Sequence, residues 1–442
     1  MNTKSTLEQE TKNKKIGKYR YRILALLLVA TTINYMDRSI MGVLAPTLFK
    51  VFDWSTMDYA YINISFKIAY GLGLLTMGSL IDKMGTKKGY TISISLWSIS
   101  GMMHAVIKPA MGWVGFAFAR FGLGFGEAGN FPSAIKTVAE WFPKKDRAFA
   151  TGIFNAGANV GAMLAPLIVA FVVQDNGDGW QIPFLVTGTF SMIWIVVWNR
   201  VYRKPEDHPE VSPEELAYIQ SDEAANPENK EQKSSWFKLF KTKEIWAIIA
   251  GKSFTDPVWY FFLFWGGKFL NDQYEADTKA LALPLITIYV IADLGSVFGG
   301  WLPKFFIEKM NMDINKGRKL TMLLCGLVVL PVAMVPFIDS MWTSIMLISL
   351  TAAAHQAWSC NIMTVASDVF PKRFVASVSG IGGCAGIIAG ALADYGLGNI
   401  LTDEKIASGS AYEIPFILMS FGYLIAFGMV QLLAPKLKMA KC

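Results

Sequence analysis

Apolar residues in this sequence gather in long runs, without the strict alternation of half-buried strands, and the runs recur at near-regular intervals. They fall at about residues 23–49, 59–81, 90–107, 113–135, 149–171 and 182–202, and again at about 245–270, 281–307, 320–338, 341–365, 376–398 and 414–434. Each approaches the roughly 20 apolar residues a helix needs to cross a bilayer, so the pattern predicts an all-α polytopic membrane protein with twelve transmembrane helices. Between the sixth and seventh runs lies a stretch rich in Glu, Lys, Pro, Asn and Ser, too polar to enter lipid. The expected organisation is a tail over 1–22, a six-helix bundle over 23–202, a linker over 203–244, a second six-helix bundle over 245–434 and a tail over 435–442. Inside the linker, Ser212 at an N-cap position, Pro213 and the glutamates of the first turn predict a short surface helix over 212–219. The linker is otherwise read as solvated chain with no chemistry of its own.

Composition agrees with a membrane protein: 53% of the 442 residues are hydrophobic and 17% charged, against about 25% charged in an average soluble protein. The net charge of +7 follows from Lys and Arg retained in cytoplasmic loops, so it does not imply a nucleic-acid partner. Counted by loop parity, basic residues collect on one side: seven from Lys4 to Arg22, then Lys83, Lys87 and Lys88, Lys144, Lys145 and Arg147, the cluster from Lys304 to Lys319, Lys372 and Arg373, and the final lysines. Both termini are therefore expected in the cytoplasm. The four cysteines have neither disulfide-framework nor zinc-site spacing, and with three histidines and no H-E-x-x-H or G-x-S-x-G motif the chain offers no catalytic or metal signature. No cofactor is expected.

An ionisable side chain near the bilayer centre costs about 2.5–3.5 kcal/mol on insertion scales, so the buried charges are the candidates for function. Asn34, Asp37 and Arg38 sit at i, i+3 and i+4 of the first helix and are expected to face one cavity. Arg120 and Glu127 lie two turns apart on the fourth helix, roughly 10 Å along one face and too far for a direct ion pair. The glycines between them are read as close helix packing. Asn63, Lys67 and Tyr70 form a stripe on the second helix, where Lys67 either meets an anionic ligand or neutralises Asp37 or Glu127. In the second half Asp256, Asp293, His355, Gln356, Asn361 and Asp394 suit hydroxyl recognition or interhelical hydrogen bonding, and Asn155 and Asn159 of the fifth helix carry the same two readings. The halves also repeat, Phe142–Ile153 matching Phe370–Ile381 at an offset of 228 residues, which points to duplicated bundles rocking about a central site.

The loop GSLIDKMGTKK (Gly78–Lys88) resembles the signature of the major facilitator superfamily, and a degenerate second copy at Gly299–Lys319 has Pro303 where the signature has Asp. NYMDRS, ARFGLGFGEAGNFP and EWFPKKDRA resemble the anion:cation symporter family. FTDPVWYF, ADLGSVFGGWLP and AHQAWSCNIMTVASDVF resemble its hexuronate-transporting branch, whereas the Asp37–Arg38 pair is closer to the galactonate-transporting one. The resemblance implies a monomeric inner-membrane importer of a small sugar acid, a hexuronate such as galacturonate or glucuronate, moved with protons by alternating access. An aldonate or other organic anion, sodium coupling or exchange are the alternatives, and a transport-like sensor is the remote one. Arg38 and Arg120 would hold the carboxylate, since a guanidinium is a permanently charged planar fork. Tyr35, Tyr70, Lys67, Asn159, His355, Gln356 and Asn361 complete the expected substrate set. Asp37 and Glu127 would carry the proton, and Asp82, Gly85, Lys87 and Lys88 would form the cytoplasmic gate.

Overall fold

The structure is a computed structural model that describes residues 17–174, 176–221, 236–370 and 372–437. The first half contains α1 (Tyr19–Phe52), α2 (Thr56–Met84), α3 (Thr86–Met103), α4 (Gly112–Glu127), α5 (Asn130–Trp141), α6 (Lys144–Val172) and α7 (Ile182–Val201). The linker helix α8 (Pro213–Ile219) follows. The second half contains α9 (Lys243–Ser253), α10 (Asp256–Phe264), α11 (Gly266–Tyr274), α12 (Ala282–Lys309), α13 (Ile314–Val329), α14 (Met341–Val369), α15 (Lys372–Ile400), α16 (Asp403–Ala407) and α17 (Glu413–Leu433). There is no strand among the described residues.

These segments group into twelve rods. Eight are by length and composition able to span a bilayer singly. The other four are α3, the interrupted α4–α5, the interrupted α9–α10–α11, and α14. The chain bends by 114° between α3 and α4, but the two are separate rods. A methyl group at Gly126 would come 2.6 Å from Trp97 N, Gly129 meets Ser93 and Gly122 meets Ser100, an antiparallel register along their lengths. The glycine-rich run of α4 thus serves close packing, as Gly124, 2.5 Å in the same sense from Phe66 O of α2, also shows.

The sequence predicts the seventh span as one helix, yet it is broken at Phe254–Thr255 and again at Trp265. Pro257 explains the first break, because it cannot donate the backbone hydrogen bond that would carry a helix through from α9. Such breaks are tolerated at membrane depth where neighbouring helices or a cavity cover the freed backbone.

Packing repeats with the sequence. α1 packs on α6 and α7, α2 on α4, and α3 on α4 and α7; their counterparts in the second half are α9 on α15 and α17, α12 on α14, and α13 on α14 and α17. The halves meet along α2–α15 and α6–α12, again a symmetric pair, and where α10 and α11 cross α1.

The linker helix forms as expected, with Ser212 Oγ accepting from Glu215 N at 3.1 Å. It is not merely solvated chain, however. Glu215 is 1% exposed and accepts from Tyr19 N and Arg20 N, each at 3.1 Å, and from Arg20 Nη1 at 3.2 Å, so it caps the free N–H groups at the start of α1.

Candidate functional site

A cavity of about 500 Å³ lies between the halves, within the roughly 300–1,000 Å³ typical of small-molecule sites. Its walls come from the middle parts of α1, α2, α6, α12, α14 and α15, from Phe131 of α5 and from the stretch Lys252–Tyr260 around the α9–α10 break. At the end of the bundle away from the termini, the halves are tied together. Thr47 and Thr278 share a hydrogen bond of 2.6 Å, and Tyr59 donates to Phe264 O at 2.5 Å. Lys67 Nζ sits 2.6 Å from Asp394 Oδ2 and donates to Gly390 O at 3.0 Å, while Trp265 Nε1 donates to Asp394 Oδ1 at 3.0 Å.

Arg38 is the first-half cation that reaches the cavity wall. Its Nε donates to Glu127 Oε2 at 2.9 Å and its Nη2 lies 2.8 Å from the same oxygen. Tyr35, Tyr70 and Phe66 pack against the guanidinium, their ring centres 4.6, 4.7 and 5.4 Å from its central carbon. Tyr35 and Tyr70 themselves line the cavity. Glu127 closes α4 at the break before α5, is fully buried, and its second oxygen has no hydrogen-bond partner. The first-half anion and cation are thereby joined across two helices, α1 and α4.

The other expected residues divide. Asp37 does not share the cavity with Arg38, because successive helical residues point about 100° apart, and Asn34, one turn before Arg38, also stays off the lining, fully buried with neither amide atom hydrogen-bonded. Asp37 instead faces α3, its Oδ1 3.6 Å from where a methyl group at Gly101 would stand. Arg120 is completely buried one layer behind the wall, between Phe66 and Phe264 at 4.7 and 5.6 Å, with none of its guanidinium nitrogens hydrogen-bonded. Lys67 neutralises neither Asp37 nor Glu127; its partner is Asp394, in the other half. Asn361 points away from the cavity and donates to Gly299 O of α12 at 2.9 Å, an interhelical bond, and to Ala357 O of its own helix at 2.8 Å. Asn155, Asn159, His355 and Gln356 do line the cavity, Asn159 bonding Asp293 across the α6–α12 seam.

At the terminus-bearing end, Gly85 has φ +82° and makes the turn from α2 into α3, a conformation only glycine adopts cheaply. Lys88 is exposed, Lys87 is half-buried, and its carbonyl accepts from Trp198 Nε1 at 3.3 Å. The side chain of Asp82 lies outside the described residues.

Several cavity residues were not expected. Lys252 pairs at 2.8 Å across one turn with Asp256, which the sequence had singled out, to give a second charge pair, and Trp259, Tyr260, Ser296 and Ser359 line the same wall. Lys252 stands close to the linker and reads in sequence as a flanking lysine; its i,i+4 spacing from Asp256 was the available signal. The cavity can therefore bind an anion at Arg38 and hydroxyls at the opposite wall, where carboxylate, imidazole, amide and hydroxyl groups converge.

Two pseudo-symmetric six-helix halves around a polar cavity open between them define a polytopic membrane transporter. The chain belongs to the Major Facilitator Superfamily, whose family model matches residues 27–393. It is 31% identical over 390 residues to the hexuronate transporter of Escherichia coli (strain K12), covering 86% of this chain and 89% of that one. It is also 31% identical over 318 residues to the galacturonate transporter of Dickeya chrysanthemi, covering 72% and 90%. In fold it is similar to a bacterial homologue of the human lysosomal transporter Spinster in an inward-facing, unoccupied conformation, with a TM-score of 0.78 at 17% identity, over 95% of this chain and 98% of that one. The protein is thus a multi-pass membrane transporter and not an enzyme.

Proposed function

We propose that this protein imports a hexuronate such as galacturonate or glucuronate together with a proton, as a monomer in the inner membrane with both termini in the cytoplasm. The basic residues concentrated on the terminus-bearing side support that orientation. The observation that carries the reading is Arg38 in the wall of the central cavity, paired with the buried Glu127 behind it. The pair is neutral, and a substrate carboxylate entering this low-dielectric site adds one negative charge. A proton on Glu127 restores neutrality and releases the guanidinium fork to the substrate. Anion and proton then bind together and leave together, which is symport. Asp37, buried in the first bundle, serves as a second proton carrier beside Glu127. Hydroxyl recognition falls to Gln356 and Asn159, and Arg120 contributes positive potential from behind the wall rather than direct contact. Asp82, Gly85, Lys87 and Lys88 act at the cytoplasmic gate.

Glu127→Gln is the test. The amide mimics the protonated acid, so galacturonate counterflow in proteoliposomes should persist while uptake driven by a pH gradient disappears. Concentrative uptake at the wild-type rate by this variant would overturn the coupling role.

A further inference from the structure

The cavity opposes a cation on the first half to an aromatic plane on the second, and the aromatic side is unusually well anchored. Trp259 of α10 lines the cavity and is half-exposed. The imidazole of His355 stacks against its indole, the ring centres 5.4 Å apart and the planes within 9°. Tyr289 meets it edge-on at 6.1 Å. His355 is itself held, its Nδ1 2.7 Å from the Tyr423 hydroxyl and its ring edge-on to Tyr423. A tryptophan in a membrane protein has no need of such a mount if it only faces lipid. Here two aromatic side chains from two other rods, His355 of α14 and Tyr289 of α12, fix its tilt, His355 being backed in turn by Tyr423 of α17, and what remains exposed borders the cavity.

A pyranose ring is the complement of such a surface. Its hydroxyls leave the C–H groups of one ring face clustered as an apolar patch, and in the galacto configuration that patch is continuous. Laid on an electron-rich indole, the patch loses water and gains contact with the ring face. An open-chain aldonate has the same carbon count and the same charge, but its C–H groups point in all directions along a flexible chain and present no flat face. Arg38 cannot tell the two apart, because both carry one carboxylate.

We propose that Trp259 is a sugar-stacking platform that selects the ring-closed form of a hexuronate over open-chain sugar acids, with His355 as the positioning residue behind it. This rests on the sugar-acid reading of the cavity given above. The neighbouring groups on this wall, Asp256, Gln356 and Ser296, then meet hydroxyls at the ring edge.

The experiment compares galacturonate with galactonate on purified full-length wild type, Trp259→Phe and Trp259→Leu, taking apparent Kd from the ligand dependence of each protein's own thermal midpoint. Because each variant is its own reference, a general loss of stability does not enter the ratio of the two affinities. Trp259→Leu should weaken galacturonate about tenfold and leave galactonate within about twofold, with Trp259→Phe in between, as expected of an aromatic face contact. Equal weakening of both ligands, or no change in either, would overturn the platform. If wild type fails to respond to galactonate at all, a tenfold loss of galacturonate in Trp259→Leu with recovery in Trp259→Phe supports the proposal, and anything less overturns it. A wild type that responds to neither acid sinks the sugar-acid reading itself, which is a different result from an unchanged ratio.

Discussion

Removing the carboxylate of Asp394 should swing the protein toward the conformation in which its opposite end is open. Lys67 and Asp394 are 1% and 2% exposed, belong to different halves and sit 2.6 Å apart, with Gly390 O and Trp265 Nε1 completing the knot. Asp394→Ala leaves a buried ammonium with one carbonyl partner, and breaking such a pair costs about 3–5 kcal/mol. The cost applies only while the halves stay closed at that end; separation exposes Lys67 to water and relieves it. The conformational equilibrium therefore moves by up to that amount, and even the lower figure is about 150-fold in population. The assay is labelling of a single cysteine at Thr278, which is buried against Thr47 in the closed arrangement, by a membrane-impermeant maleimide in a background lacking the native cysteines. Labelling should accelerate at least tenfold in Asp394→Ala. It should fall back toward the wild-type rate in Asp394→Ala combined with Lys67→Met, where no orphaned charge remains. Unchanged labelling in the single variant, accompanied only by a lower thermal midpoint, would refute the argument that this pair biases the two conformations.

Asn361→Ala should lower the thermal midpoint, losing two hydrogen bonds at about 1 kcal/mol each, while leaving the apparent KM for transport unchanged; a substantially raised KM would return Asn361 to the substrate site. Glu215→Ala should destabilise the protein by about 2–3 kcal/mol, since it uncaps α1 and strands the buried Arg20, and this reads out as a lower denaturation midpoint with normal transport by the surviving protein. Asp82→Asn should slow galacturonate turnover with little change in affinity, and equal turnover would remove it from the gate.

Much of the architecture is legible because lipid leaves the backbone no partner but itself: a run of twenty apolar residues has to be a helix, and counting such runs recovers the rods. The charges announce themselves for the same reason, since Arg38, Glu127 and Lys67 stand out against an apolar background. What periodicity could not supply is rotation and partnership. Asp37 and Arg38 are adjacent in sequence and point to different compartments of the fold. Lys67 finds its counter-ion 327 residues away, across a seam that exists only once the two bundles assemble. Trp259 was one aromatic residue in an aromatic-rich segment until His355 and Tyr289 closed around it. The break at Pro257 was written in the chain, but the length of the surrounding apolar run masked it.

The short helix at 213–219 carries a practical lesson for watching this transporter work. Because Glu215 grips the first turn of α1, the helix travels with the amino-terminal bundle even though it follows that bundle's last span. A spin label or fluorophore on its outer surface, at exposed Ala217, would therefore track that bundle without touching the membrane core, and a second probe at exposed Leu432 near the end of α17 would track the other. The distance between them is a ruler for the rocking motion, readable in intact vesicles while solute and pH are varied.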